Sequence, residues 1–152
     1  KIFKKMTLDE AKEELKRVDH LVYITLKYTR TCDVIKNTIH RLINAIEFAT
    51  SEALEHARKK KKIKIVSKIS KIKIDTLKDV YKIKVRDYIA LYNLLKQIDK
   101  AEFSKREEYR KNVTLISMLK PGEFYEVNTD KLKEFFYKTK EFIDLVGNLV
   151  KK

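Results

Sequence analysis

Nine cationic side chains fall within residues 58–74: Arg58, Lys59, Lys60, Lys61, Lys62, Lys64, Lys68, Lys71 and Lys73, with no acidic residue among them. Clustered lysines neutralise phosphates and release condensed counterions, giving binding that is tight at low salt and weakly selective for sequence. The eight lysines from Lys59 to Lys73 are therefore candidate contacts to RNA or DNA, carried on a basic connector. Its conformation stays open, because Lys62-Ile63-Lys64-Ile65 and Lys71-Ile72-Lys73-Ile74 alternate like a strand whereas Val66, Ile69 and Lys73 suit a helix. Nearby Tyr81, Tyr88 and Tyr92 could stack on unpaired bases, but their spacing of seven and four is what a core face requires, and core is the preferred reading. The Ile/Lys pattern also fits a segment lying on an anionic membrane surface. Lysine enrichment is generic in some charge-rich proteins, yet there it is interleaved with glutamate, which residues 58–74 lack.

Groups for catalysis are sparse. The histidines, His20, His40 and His56, are scattered, and although Glu52 could orient His56 from the previous turn, a helix ion pair explains that spacing equally well. No His-Glu-x-x-His pair exists, and two glycines cannot build a phosphate-cradling loop. Adjacent carboxylates such as Glu13-Glu14 and Glu107-Glu108 point about 100° apart on a helix and read as solvated faces. The single cysteine, Cys32, has no disulfide or thiolate-metal companions and reads as a small apolar residue at a helix start. No cofactor, metal or catalytic residue is expected.

The elements carrying these groups follow from a chain of 152 residues with net charge +14, 43% hydrophobic content, two glycines and one proline. A single domain suits that length. So little turn punctuation disfavours a sandwich or barrel and predicts an all-α fold: a four- or five-helix bundle with a long N-terminal antiparallel pair. The longest stretches without a charged residue, Tyr88–Leu95 and Asn112–Leu119, are far below the ~20 residues of a membrane span, so a cytoplasmic protein is expected. Met6 is a candidate native start, with residues 1–6 flexible.

The box Thr7-Leu8-Asp9-Glu10 predicts a first helix from about Leu8, and Ile35, Ile39, Leu42, Ile46, Ala49 and Ala53 a second running to about Arg58. A continuous helix kinked at Thr31 is the rival. A third helix is expected from about Asp75 to Ile98, a fourth over Phe103–Ile116, a turn at Pro121-Gly122, and a final helix capped by Asn128. That last helix has the cleanest stripe, and Phe135, Phe136 and Phe142 are its candidate oligomer-interface residues.

This order of elements, with Glu108-Tyr109-Arg110-Lys111-Asn112 before the last helix, resembles the HEPN superfamily of small prokaryotic helical proteins. In ribonuclease members an arginine, often followed by a polar residue, precedes a histidine by five to seven positions, and the pair acts on the scissile phosphate. Arg110 and Asn112 match the opening of that motif, but Leu115, Ile116 and Ser117 stand where the histidine belongs. The resemblance implies a degenerate, often dimeric member that binds RNA or a partner without cutting, with Arg110 as a further phosphate contact. The expectation is a non-catalytic nucleic-acid-binding or accessory protein, RNA first. The alternatives are a homo- or hetero-oligomeric structural module and, third, a ribonuclease.

Overall fold

The computed structural model describes residues 2–151, with side chains from residue 7 onward. The side chains of residues 1–6, the stretch expected to be flexible, thus lie outside what is described, and nothing in the structure bears on Met6 as a start.

The third helix, α3 (Cys32–Lys59), organises the rest. Ile35, Ile39, Leu42 and Ile46 bury one line of it, and Ala45, Ala49, Ala53 and Ala57 bury another at four-residue steps. A helix apolar around most of its circumference must be covered on several sides. α1 (Ile2–His20), prolonged by a π-helical turn (Leu21–Thr25) and a single α turn, α2 (Leu26–Tyr28), is its antiparallel partner, as expected. α6 (Thr129–Val150) covers a second side, and α4 (Ser70–Tyr81) and α5 (Arg86–Lys100) cover the remainder. The α1–α3 seam contains one buried acid, Glu14, gripped by Arg41 at 3.0 and 3.2 Å, with Arg17 at 3.5 Å.

Thr31 breaks the chain between the first two arms. Its backbone is extended and its Oγ1 accepts from the Val34 amide at 3.3 Å, an N-cap that rules out the continuous kinked helix. Cys32 takes the first helical position, buried as expected, and its Sγ donates to the Thr114 carbonyl at 3.3 Å. α1, by contrast, starts at Ile2, so Thr7 and Glu10 lie inside a helix and do not mark its beginning.

Residues 103–127 overturn the all-α expectation. They form a three-stranded antiparallel sheet of order β1 (Phe103–Arg106), β2 (Thr114–Lys120), β3 (Glu123–Val127) in place of the helix expected over Phe103–Ile116. Val113, Leu115 and Ser117 face the core at period two, while Met118 and Lys120 point outward. Pro121-Gly122 is the two-residue turn between Lys120 and Glu123, with Gly122 at φ +78° as a type II turn demands. The β1–β2 connection has no glycine, and Glu107 and Tyr109 take positive φ themselves, at 54° and 68°. Turn positions filled by ordinary side chains explain why counting glycines gave the wrong fold class.

The same substitution breaks the expected third helix. Lys82 sits at φ 53° and ψ −121°, and a 3-10 turn over Lys82–Val85 separates α4 from α5. Most of the expected stripe is nonetheless buried: Leu77, Tyr81, Val85, Leu91, Tyr92 and Leu95. The final helix matches its prediction in place and cap, with Asn128 Oδ1 accepting from the Lys131 amide at 2.9 Å.

Two outcomes follow. Lys82→Gly should raise stability by about 1 kcal/mol in urea melts, because only glycine occupies that backbone region without strain; a loss would overturn the strain argument. The Cys32 thiol, pushed up to about 11 by burial and then by the Glu108 carboxylate, should resist thiol reagents in the folded protein and react on unfolding.

Candidate nucleic-acid interface

The connector begins where α3 ends. Lys61 N–H donates to the Arg58 carbonyl and Lys62 N–H to the Ala57 carbonyl, the paired bonds of a Schellman stop. The left-handed position of that motif is held by Lys61 at φ 62°, where glycine is usual. Residues beyond it are irregular until Ser70 opens α4, so the last part of the basic segment is helical. Lys73 pins this join by donating from Nζ to Ser51 Oγ at 2.8 Å.

Lys59, Lys60, Lys61, Lys62, Lys64, Lys68 and Lys71 are exposed, and Lys73 is half-buried. Among the described residues Lys59, Lys61, Lys62, Lys64, Lys68 and Lys71 have no carboxylate within salt-bridge distance. Their field is felt inside the fold. The pKa of His56, one turn before the end of α3, is held below 6.5 by partial burial and then by the charges of Lys60, Lys62 and Lys59. The Glu52–His56 pair is not formed: Glu52 Oε1 is buried without a hydrogen-bond partner, and burial pushes that carboxyl above its usual range.

The basic surface continues beyond the segment read from sequence. Lys71, Asp75, Lys78 and Lys96 border a groove of about 450 Å³ between α4 and α5, and Lys78, Lys82 and Arg86 border an adjoining one of about 580 Å³ that also contains Ile89 and Asn93. Lys78, Lys82, Arg86 and Lys96 were missed. The spacing Lys71, Asp75, Lys78, Lys82 follows helical steps of four, three and four and could have joined two of these cations, Lys78 and Lys82, to Lys71 as a set.

Tyr81 and Tyr92 belong to the core. The Tyr81 hydroxyl donates to the Ala53 carbonyl at 2.9 Å and that of Tyr92 to Glu47 at 2.6 Å, and burial raises both phenols. Tyr88 is half-buried, packed on Phe142 with ring centroids 5.2 Å apart.

Arg110 does not join this surface. It is exposed on the β1–β2 connection, where the Tyr109 amide donates to the Arg30 carbonyl at 2.6 Å and Glu108 accepts from the Cys32 amide at 2.5 Å. Those contacts lie at the N-terminus of α3, whereas the connector leaves its C-terminus; 28 residues at 1.5 Å each put the two ends about 42 Å apart. Phe135, Phe136 and Phe142 are also relocated. They are buried within this one chain, with Phe135 stacked on Tyr125, Phe136 edge-on to Tyr23 and Phe142 against Tyr88, so they offer a second copy no surface.

The histidines occupy separate places: His20 ends α1, His40 lies 3.8 Å from Asp99, and His56 is near the connector. Among the described residues no group of three His, Cys, Asp or Glu side chains could hold a metal ion, and no helix is long and apolar enough to cross a membrane. The chain matches no protein-family model, no curated protein and no solved structure.

The depressed His56 pKa sets a pH dependence. Because the folded value lies below the unfolded one, the stability associated with neutral His56 is present above pH 6.5 and is lost as pH falls through the folded pKa. A polyanion covering Lys59 and Lys62 would offset the lysine share of this depression, though not the larger share due to burial, so the imidazole would take up protons on binding and affinity would rise as pH falls. Proton NMR of His56 should show its midpoint moving upward when a short oligonucleotide is added; a fixed midpoint places the strand elsewhere.

Proposed function

We propose that the protein is a non-catalytic nucleic-acid-binding module of the cytoplasm, with RNA as the first ligand to test. The observation carrying this reading is the set of exposed lysines Lys59, Lys61, Lys62, Lys64, Lys68 and Lys71, which among the described residues have no carboxylate within salt-bridge distance although the chain has 22 acidic residues. A run kept only for solubility would be interleaved with acids and would cost less self-repulsion. Lys78 on α4, Lys82 on the 3-10 turn and Arg86 at the start of α5, the last also 3.5 Å from Asp87, extend the track and give a phosphate backbone successive contacts beyond the connector. Asp75 and Asp79 also border the grooves and set a limit on how closely a strand approaches α4.

A second reading has its own observation. Ile65, Ile69 and Ile83 are 78%, 60% and 74% exposed beside these lysines, and Ile72 is exposed between Lys71 and Lys73. Aliphatic side chains gain nothing from phosphate, whereas a surface of lysine and isoleucine suits the headgroup boundary of an anionic bilayer.

Fluorescence anisotropy with labelled single- and double-stranded RNA and DNA, run from low to physiological salt, distinguishes the two. Saturable binding with a steep salt slope is expected. The triple variant Lys61→Gln, Lys62→Gln, Lys64→Gln should flatten the slope for a single strand by about 2, at ~0.7 per lost phosphate contact. Absence of saturable binding at low salt, together with cosedimentation on anionic vesicles that Ile65→Ser and Ile69→Ser abolish, replaces the first reading with the second.

A further inference from the structure

At the opposite end of α3 a cleft of about 380 Å³ opens between the π-helical turn, the β1–β2 connection and the start of α6. Four cations border it without a carboxylate partner among the described residues: Lys27, Arg30, Lys111 and Lys133. Arg106 also lines the cleft but is committed to Glu126 through two hydrogen bonds, at 2.6 and 3.1 Å. Two carboxylates, Glu107 and Asp130, leave the border with an excess of positive charge.

Its walls are built rather than incidental. The π turn over Leu21–Thr25 resets the helical phase just before Lys27, a distortion that is frequent at functional sites. Opposite it, Glu107 and Tyr109 hold positive φ, and the Tyr109 amide and Glu108 carboxylate fasten that connection to Arg30 and Cys32. Non-glycine residues in this region are strained and persist where the surroundings enforce them. At the third wall, Asn128 accepts from the Lys131 and Leu132 amides of α6, and Thr129 and Asp130, the first two residues of that helix, line the cleft. Such a helix start adds a partial positive charge to the four cations. Lys133 lies 5.1 Å from the ring centroid of Tyr23, whose hydroxyl donates to Tyr137 and is pushed up to about 12 chiefly by that bond, so the phenol contributes no negative charge at neutral pH.

We propose that this cleft binds a small phosphorylated ligand, a molecule the size of a nucleoside di- or triphosphate. The volume lies in the range of small-molecule sites, and the polar, cation-rich lining selects a compact polyanion over an apolar ligand. This site is separate from the connector and does not rest on the nucleic-acid reading.

Calorimetric titration of the full chain with ADP, ATP and pyrophosphate at physiological salt tests it. Saturable one-to-one binding of at least one probe is expected, weakened about tenfold or more in Lys27→Gln/Lys111→Gln, whose side chains are exposed and carry no ion pair among the described residues. Arg30→Gln, which leaves the backbone carbonyl bonded to Tyr109, should weaken it comparably. The connector variant Lys61→Gln/Lys62→Gln/Lys64→Gln should bind within about twofold of the parent. No saturable heat from any probe, or binding lost in the connector variant and kept in the cleft variants, overturns the proposal. Loss of oligonucleotide binding in the connector variant alone bears only on the other surface.

Discussion

Burial of α3 on nearly every side is the constraint from which the architecture follows. Thirteen of its residues are buried, and the alanines at four-residue intervals let neighbouring helices approach closely where the isoleucines supply bulk. A helix so enclosed can meet polar chemistry only at its ends, where four amides and four carbonyls lack partners. The N-terminal end is closed by Thr31 Oγ1 and by the Glu108 carboxylate reaching the Cys32 amide, an anion placed where the helix dipole favours one. The C-terminal end is closed by backbone bonds from Lys61 and Lys62, in a run of cations that the opposite pole of the dipole favours. Both polar ends of the molecule thus begin as solutions to the capping of one buried rod.

The sheet belongs to the same solution. It packs its β2 face against the start of α3 and the end of α5, with Cys32 donating to Thr114 and Ser117 donating to the Ile98 carbonyl at 3.5 Å. Without it the N-terminal ends of α3 and α6 would have no common wall. Its β1–β2 connection then does two jobs: it caps α3 through Glu108 and borders the cleft through Glu107, Lys111 and Asn112.

Helical faces were legible in the sequence because their signal is periodic and redundant. Ile35 through Ala53, Leu132 through Val146 and the Asn128 cap each rest on several residues that agree. The sheet was not legible, because its evidence was a handful of turn residues and those are atypical. Glutamate at 107 and tyrosine at 109 occupy backbone conformations that glycine normally announces, and lysine does the same at 61 and 82. Exposure of the connector lysines followed from charge density alone, but the grouping of Arg110 with them could not be checked without knowing which end of α3 each segment occupies. The phenylalanines of α6 show the complementary limit: a strong apolar stripe says that something covers it and not whether the cover is the same chain.

The net charge of +14 therefore does not act as one field. Screening in physiological salt decays over about 8 Å, several times shorter than the ~42 Å of α3 that separates the connector from the cleft. A phosphate bound at one end lowers the repulsion among its own lysines and leaves the other end electrostatically unchanged. Any communication between the two must pass through the helix as a rigid body, and a rod packed on all sides by α1, α4, α5 and α6 has no second arrangement to offer. The two proposed surfaces are therefore expected to behave independently, each tuned by its local charges, with stability common to both because both are anchored to α3.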